Sequence, residues 1–131
     1  MSKTVFTNGC YDILHRGHIE LLRYCRALGD SVIVGINSDK SIARLKGENR
    51  PINNQSDRSF ILQSCMYVDD VIIFDEDTPY KLIKQIMPDI IVKGGDYKPE
   101  DVVGNNLCEV AIFDYVKGYS TTKTIQNISG R

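Results

Sequence analysis

Both histidines of this chain fall in "TNGCYDILHRGHIELL", residues 7–22, as His15 and His18. The stretch follows an apolar run and opens a helical pattern, which puts both imidazoles at the start of a helix. There, residues three apart share a face, and the unpaired N–H groups of the first turn attract anions. Gly17 removes the side chain that would block a phosphate from approaching the backbone. Such a pair suits the stabilisation of charge building on a phosphoryl group; the plainer alternative is two surface histidines at a helix start.

Two other stretches carry related chemistry. "GYSTTKTI", residues 118–125, sets Gly118 before Ser120, Thr121 and Thr122 at the expected start of a last helix. Their hydroxyls and N–H groups either hold phosphate oxygens or simply cap the helix. In "VKGGDYKPED", residues 92–101, Gly94 and Gly95 permit tight turning and close backbone approach. Asp96 can accept hydrogen bonds from a base or sugar there, unless the segment is only a turn. Lys93 either meets a phosphate or is solvated. The chain has no G-x-x-x-x-G-K-[ST] and no G-x-G-x-x-G after its first strand, so P-loop kinase and dinucleotide-dehydrogenase readings drop out.

The elements that must position these groups alternate. Apolar β-rich runs recur at 4–8, 31–36, 70–74, 89–93 and 108–113, mostly separated by helical patterns. Helix one carries Ile19, Leu21, Leu22, Cys25 and Leu28 inward and stops at Gly29, a residue suited to a left-handed helix end. A second helix, about 54–66, starts at Asn54 with Asp57 three residues on and faces Phe60, Ile61 and Cys65 inward. Thr78-Pro79 offers a cap and first-turn proline for a third, with a stripe of Leu82, Ile83 and Ile86 that Pro88 ends. The last, from about Ser120, buries Ile125 and Ile128. Residues 38–54, polar and basic, read as a mobile loop over the site. The pattern predicts one α/β domain over residues 1–131: a doubly wound, Rossmann-like, five-stranded parallel sheet with helices on both faces. Its ligand belongs at the carboxyl ends of the strands, near the point where strand order reverses.

Composition narrows the partners. With 42% hydrophobic residues, 25% charged and net charge −1, the chain reads as an ordinary globular protein with no nucleic-acid partner and no attraction to a membrane surface. No secretory leader is evident, and every apolar run is far shorter than the roughly 20 residues of a membrane helix. Cys10, Cys25, Cys65 and Cys108 form no C-x-x-C, so neither a zinc site nor a disulfide framework is expected. Cys25, Cys65 and Cys108 read as core residues, and the cytoplasm is the natural compartment.

Over residues 4–125 the chain resembles the cytidylyltransferase-like nucleotidyltransferases of the H-x-G-H type. Within them, "TNGCYDILHRGH", "VGINSD", "LKGENRPIN", "VDDVIIFDEDTP", "PDIIVKGGDYKPED" and "GYSTTKTI" are most similar to D-glycero-D-manno-heptose-1-phosphate adenylyltransferases. Glycerol-3-phosphate cytidylyltransferases come next. Against that second branch, Tyr115 stands where an arginine is usual, and "GGDY" replaces an acidic pair followed by tryptophan. A catalytically silent nucleotide-binding module is the third reading.

The resemblance implies attack of a sugar phosphate on the α-phosphorus of a nucleoside triphosphate. Pyrophosphate leaves with no covalent enzyme intermediate, and the product is an activated sugar for surface polysaccharide. Mg2+ would arrive with the triphosphate, the protein would be a homodimer, and the kinase half of two-domain relatives would be a separate protein. By the same resemblance His15, His18 and Lys46 are catalytic, with Lys46 closing over the phosphates. Thr7, Asn8, Gly9, Cys10, Tyr11 and Gly17 approach the nucleotide, Ser120, Thr121 and Thr122 bind its phosphates, and Gly94 and Asp96 lie beside its base or ribose. Asp12, Arg44 and Lys93 fall to the acceptor, Arg44 meeting its phosphate. Arg58 matches a family arginine and is either structural or functional.

Overall fold

The computed structural model describes residues 2–114, 125 and 127–128. Its strands are β1 (Thr4–Gly9), β2 (Ser31–Asn37), β3 (Asp70–Phe74), β4 (Ile90–Gly94) and β5 (Glu109–Phe113), each end within one residue of its apolar run. The helices are α1 (Arg16–Leu28), α2 (Asp39–Lys46), α3 (Gln55–Gln63) and α4 (Tyr80–Ile86). All neighbouring strands pair in parallel, in the order β3-β2-β1-β4-β5. Because side chains alternate along a strand, Val5, Val32 and Val34 pack with Leu22 and Cys25 of α1 and Leu62 of α3. Phe6 and Ile91 turn to the other face and meet Leu82 and Ile83 of α4. The expected doubly wound sandwich is what forms.

Five local features differ from expectation. Gly29 has φ −159°, an extended rather than left-handed conformation. Glycine is needed there for space, since a Cβ would lie 2.7 Å from both the Lys3 carbonyl oxygen and Val5 Cγ2. The stretch 38–54 is not all loop: Ser38 Oγ accepts from Ser41 N at 3.1 Å and starts α2, which buries Ser41 and Ile42. Only its remainder, 47–54, is irregular. In α3, Asn54 caps Asp57 N at 2.8 Å as expected, but the buried face is Arg58, Ser59 and Leu62, leaving Phe60 71% and Ile61 41% exposed. Pro79, not Thr78, occupies the cap position of α4. At the C-terminus, Ile125 is half-buried, whereas Ile128 is exposed instead of packing inward; the expected helix start at Ser120 lies outside the described residues.

Where the strand order reverses, the sheet comes apart. β1 pairs with β2 along its whole length, through Gly9↔Ile36, yet with β4 only at Val5↔Ile90 and Phe6↔Ile91. Beyond Phe6 the gap is bridged by side chains: Thr7 Oγ1 donates to the Val92 carbonyl at 2.9 Å, and Lys93 Nζ to the Asn8 carbonyl at 3.1 Å. The crevice at the carboxyl ends of β1 and β4 is the ligand position of a doubly wound sheet.

Candidate active site

A cavity of about 690 Å3 opens at this crevice. Its floor is the end of β1 and the turn after it, Thr7 through Tyr11. A Cβ on Gly9 would lie 3.2 Å from the Tyr11 ring, and Tyr11 itself adopts φ 48°, so the turn is tightly wound against the helix that follows. The Tyr11 ring centroid lies 5.0 Å from that of His18.

His15 and His18 build the N-terminus of α1 from their own side chains. His15 is the N-cap: its Nδ1 accepts from Gly17 N at 3.0 Å, while its backbone N–H donates to His18 Nδ1 at 3.3 Å. This is a capping box made of two imidazoles instead of a hydroxyl and a carboxylate. An accepting Nδ1 carries no hydrogen, so each neutral ring keeps its proton on Nε2. The rings stack with centroids 3.8 Å apart and planes at 21°, and both line the cavity. Burial lowers the pKa of His15; burial first, then the charges of His15 and Lys46, takes His18 down to about 3. Near neutral pH the pair therefore consists of uncharged rings with fixed tautomers.

That depression has a measurable consequence. Between pH 6.5 and about 3 the unfolded chain binds a proton at His18 that the folded chain does not, so stability falls as pH falls, by about 1.4 kcal/mol per pH unit. His18→Gln keeps an acceptor for the cap and removes the titration. Denaturant unfolding at pH 6.5 and pH 5 should show the parent losing about 2 kcal/mol more than this variant; equal losses would contradict the buried, neutral ring.

The remaining expected residues divide clearly. Gly17, Lys46, Lys93, Gly94 and Asp96 line the cavity with the histidines. Burial pushes the Lys93 ammonium down to about 8 against the opposing pull of Asp96 and Cys10, and its Nζ lies 4.8 Å over the Tyr97 ring. Ser120, Thr121 and Thr122 lie outside the described residues. Two acceptor residues are not at the cavity. Asp12 is 1% exposed, and its carboxylate takes Ile52 N and Asn53 N at 2.8 Å each and Arg50 Nε at 3.2 Å. With its oxygens so engaged, it anchors the 50–53 loop. Arg44 does not itself line the cavity but pairs with a residue that does, its Nε 3.1 Å from Asp77 Oδ1 and its Nη2 on the Asp75 carbonyl. Arg58 is fully buried and structural: it donates to the carbonyls of Asn53, Cys10 and Asn37 and to Asp39 Oδ1.

The cavity also has walls that sequence reasoning missed. Asn37, Asp77 and Thr78 lie on one side of β1, and Tyr97, Val102 and Val103 on the other. The signal for Asp77 and Thr78 was available: they lie in the loop after β3, at the sheet edge where such a fold binds its ligand, but Thr78-Pro79 reads locally as a helix start. Among the described residues no three His, Cys, Asp or Glu side chains cluster to hold a metal ion. No helix among them is long and apolar enough to cross a membrane.

A doubly wound sheet with two lysines and paired imidazoles around the crevice at its switch point is an α/β arrangement suited to anions. Residues 6–130 match the cytidylyltransferase-like family model, and the chain belongs to that family. It is 55% identical over 127 residues to the bifunctional protein HldE of a Nitratiruptor species, covering 96% of this chain and 28% of that protein. It is 56% identical over 127 residues to HldE of Campylobacter concisus, covering 96% and 27%. The chain thus spans under a third of the length of these relatives. Among solved structures, the lipopolysaccharide core biosynthesis protein of Thermoplasma volcanium superposes with a TM-score of 0.72 at 30% identity, covering 92% of this chain and all of that one.

Proposed function

We propose that this chain is a nucleotidyltransferase that moves a nucleoside monophosphate, adenylate by its nearest resemblance, from a triphosphate to D-glycero-D-manno-heptose 1-phosphate. The acceptor phosphate attacks the α-phosphorus and pyrophosphate leaves, giving an activated sugar for surface polysaccharide. The observation that carries the reading is the imidazole capping box, whose Nδ1 atoms accept from Gly17 N and His15 N while both rings line the cavity. Donors fixed before charge develops need no reorganisation when it does, which makes this kind of stabilisation effective in phosphoryl chemistry. Lys46 and Lys93 supply positive charge to the same phosphates.

Mg2+ enters this scheme as part of the substrate, bound by the triphosphate oxygens, since the described residues of the cavity offer nitrogen donors rather than a cluster of three carboxylates. A cytoplasmic homodimer completes the proposal. The apolar surface left by Phe60, Ile61 and Met66, the last 82% exposed, supports a second copy docking there.

Pyrophosphate release tests the reading. ATP, CTP, GTP and UTP are each offered with the heptose 1-phosphate and with glycerol 3-phosphate. Release with ATP and the heptose phosphate is expected. Release confined to CTP and glycerol 3-phosphate replaces the acceptor and base, and none with any pair rejects the activity.

A further inference from the structure

The cavity has a charge pattern that the proposed reaction does not by itself require. Its middle is cationic or hydrogen-bond donating, formed by His15, His18, Lys46 and Lys93. Its only lining carboxylates among the described residues are Asp96 and Asp77, and the sheet order puts them on opposite sides of β1. A carboxylate facing bound phosphate is repelled, so at either end of the cavity it is better suited to neutral hydroxyl donors. The two ends also differ. On the Asp96 side stand the Tyr97 ring, Val102, Val103 and glycine backbone, surfaces that suit the flat faces and edges of a base. The Asp77 side is lined by Asn37, Thr78 and Pro79 and bounded by Leu45 of α2, more polar and with no aromatic ring.

That second end is also built to hold its shape. Asn37 is 5% exposed and its Nδ2 donates to Ser41 Oγ at 3.0 Å, while Ser41 Oγ donates to the Glu76 carbonyl at 3.0 Å. Arg44 bridges from the same helix to the Asp75 carbonyl and to Asp77 Oδ1. The buried and part-buried Asn37–Ser41–Glu76 contacts staple helix α2 to the loop after β3, while the Arg44–Asp77 pair is solvent-exposed and engages one Asp77 oxygen, the other having no partner in this network.

We propose that Asp77, with Asn37 and Thr78, is the acceptor's polyol subsite, and that Arg44 is a positioning residue that aims the Asp77 carboxylate at the acceptor's ring hydroxyls. The substrate class it selects is a polyhydroxylated ring phosphate, in preference to a short glycerol phosphate with few hydroxyls to offer. The proposal rests on the nucleotide-transfer reading above, and it gives Arg44 a role different from contact with the acceptor's phosphate.

The test is a pair of titrations on the intact chain, one with Mg-ATP and one with the heptose 1-phosphate in the presence of a non-hydrolysable ATP analogue. They are run on the parent, Asp77→Ala, Asp77→Asn and Arg44→Leu. Loss of a hydrogen bond to a charged group weakens acceptor binding by ~10- to 100-fold, with nucleotide affinity unchanged. Arg44→Leu should weaken the acceptor in the same direction, and combining it with Asp77→Ala should add little further loss, because both act through one carboxylate. Unchanged acceptor affinity in Asp77→Ala, or equal loss of nucleotide and acceptor, overturns the subsite while the transfer reading stands. A parent that binds nucleotide but not the sugar phosphate overturns the subsite and the choice of acceptor together. A parent that binds no nucleotide fails the transfer reading itself, and the subsite with it.

Discussion

His15→Asn and His18→Gln each lower turnover by roughly 10²- to 10³-fold, at nearly unchanged folding stability near neutral pH. The choice of replacement matters because each ring does two jobs. His15 Nδ1 caps Gly17 N, and His18 Nδ1 takes the N–H of His15. Alanine at either position would remove a helix cap worth about 1 kcal/mol along with the catalytic donor, confounding the two effects. Asparagine at the N-cap and glutamine three residues later preserve the acceptors, as an ordinary capping box does. What both lose is the imidazole that the proposed reaction sets against the phosphates.

Steady-state turnover at saturating substrates, with melting temperatures as the control, separates the roles. A large fall in turnover with an intact melt identifies the rings as donors to developing charge. Near-normal turnover in both variants would mean the imidazoles serve only to start α1. The low pKa of His18, about 3 in the free chain, adds a second signature. Its cause is burial beside another imidazole and Lys46, so the ring stays neutral between pH 8 and 6. His18→Gln should therefore leave the pH dependence of nucleotide binding over that range unchanged.

The alternation of apolar strands with capped helices was plain in the sequence because a parallel sheet covered on both faces needs near-continuous Val and Ile runs, and these set every strand to within a residue. The H-x-G-H turn was legible for a related reason: a strand-to-helix junction at the first crossover is where this topology puts its ligand. Helix α2 was not, because with Ile42 as its one fully buried apolar side chain it has too little periodicity to stand out from a polar loop. The inward face of α3 was misjudged since Phe60 and Ile61 are the apolar candidates, yet the helix is rotated by the demands of a buried arginine. Asp12 and Arg44 carry charges that suit a substrate equally well; only three-dimensional partners reveal that one anchors a loop and the other braces Asp77. Local patterns report burial and turns well, but they say little about which of several polar side chains is already satisfied.

Arg58→Met destabilises the fold by about 3–5 kcal/mol, the range for breaking a buried charged network from one side. The side chain is 0% exposed and joins three segments that the sequence keeps far apart. Its Nε holds the Asn53 carbonyl at 2.9 Å, one Nη the carbonyls of Cys10 and Asn37 at 2.8 Å each, and the other Nη Asp39 Oδ1 at 2.9 Å. Methionine fills most of the volume, so the loss comes from stranded carbonyls rather than from a cavity. Arg58→Lys does not rescue, because an ammonium cannot span four acceptors that a planar fork reaches at once. For a chain of this size the melting temperature should drop on the order of 10 °C. Cys10 and Asn37 both line the cavity, so freeing their carbonyls loosens the site as well as the fold. At temperatures where Arg58→Met is still folded, it should therefore bind nucleotide more weakly than the parent even though Arg58 itself does not line the cavity. Chemical unfolding measures the first effect and nucleotide titration the second. A loss below about 1 kcal/mol, the scale of an ordinary surface substitution or weaker contact, would mean that the three loops hold together without this guanidinium.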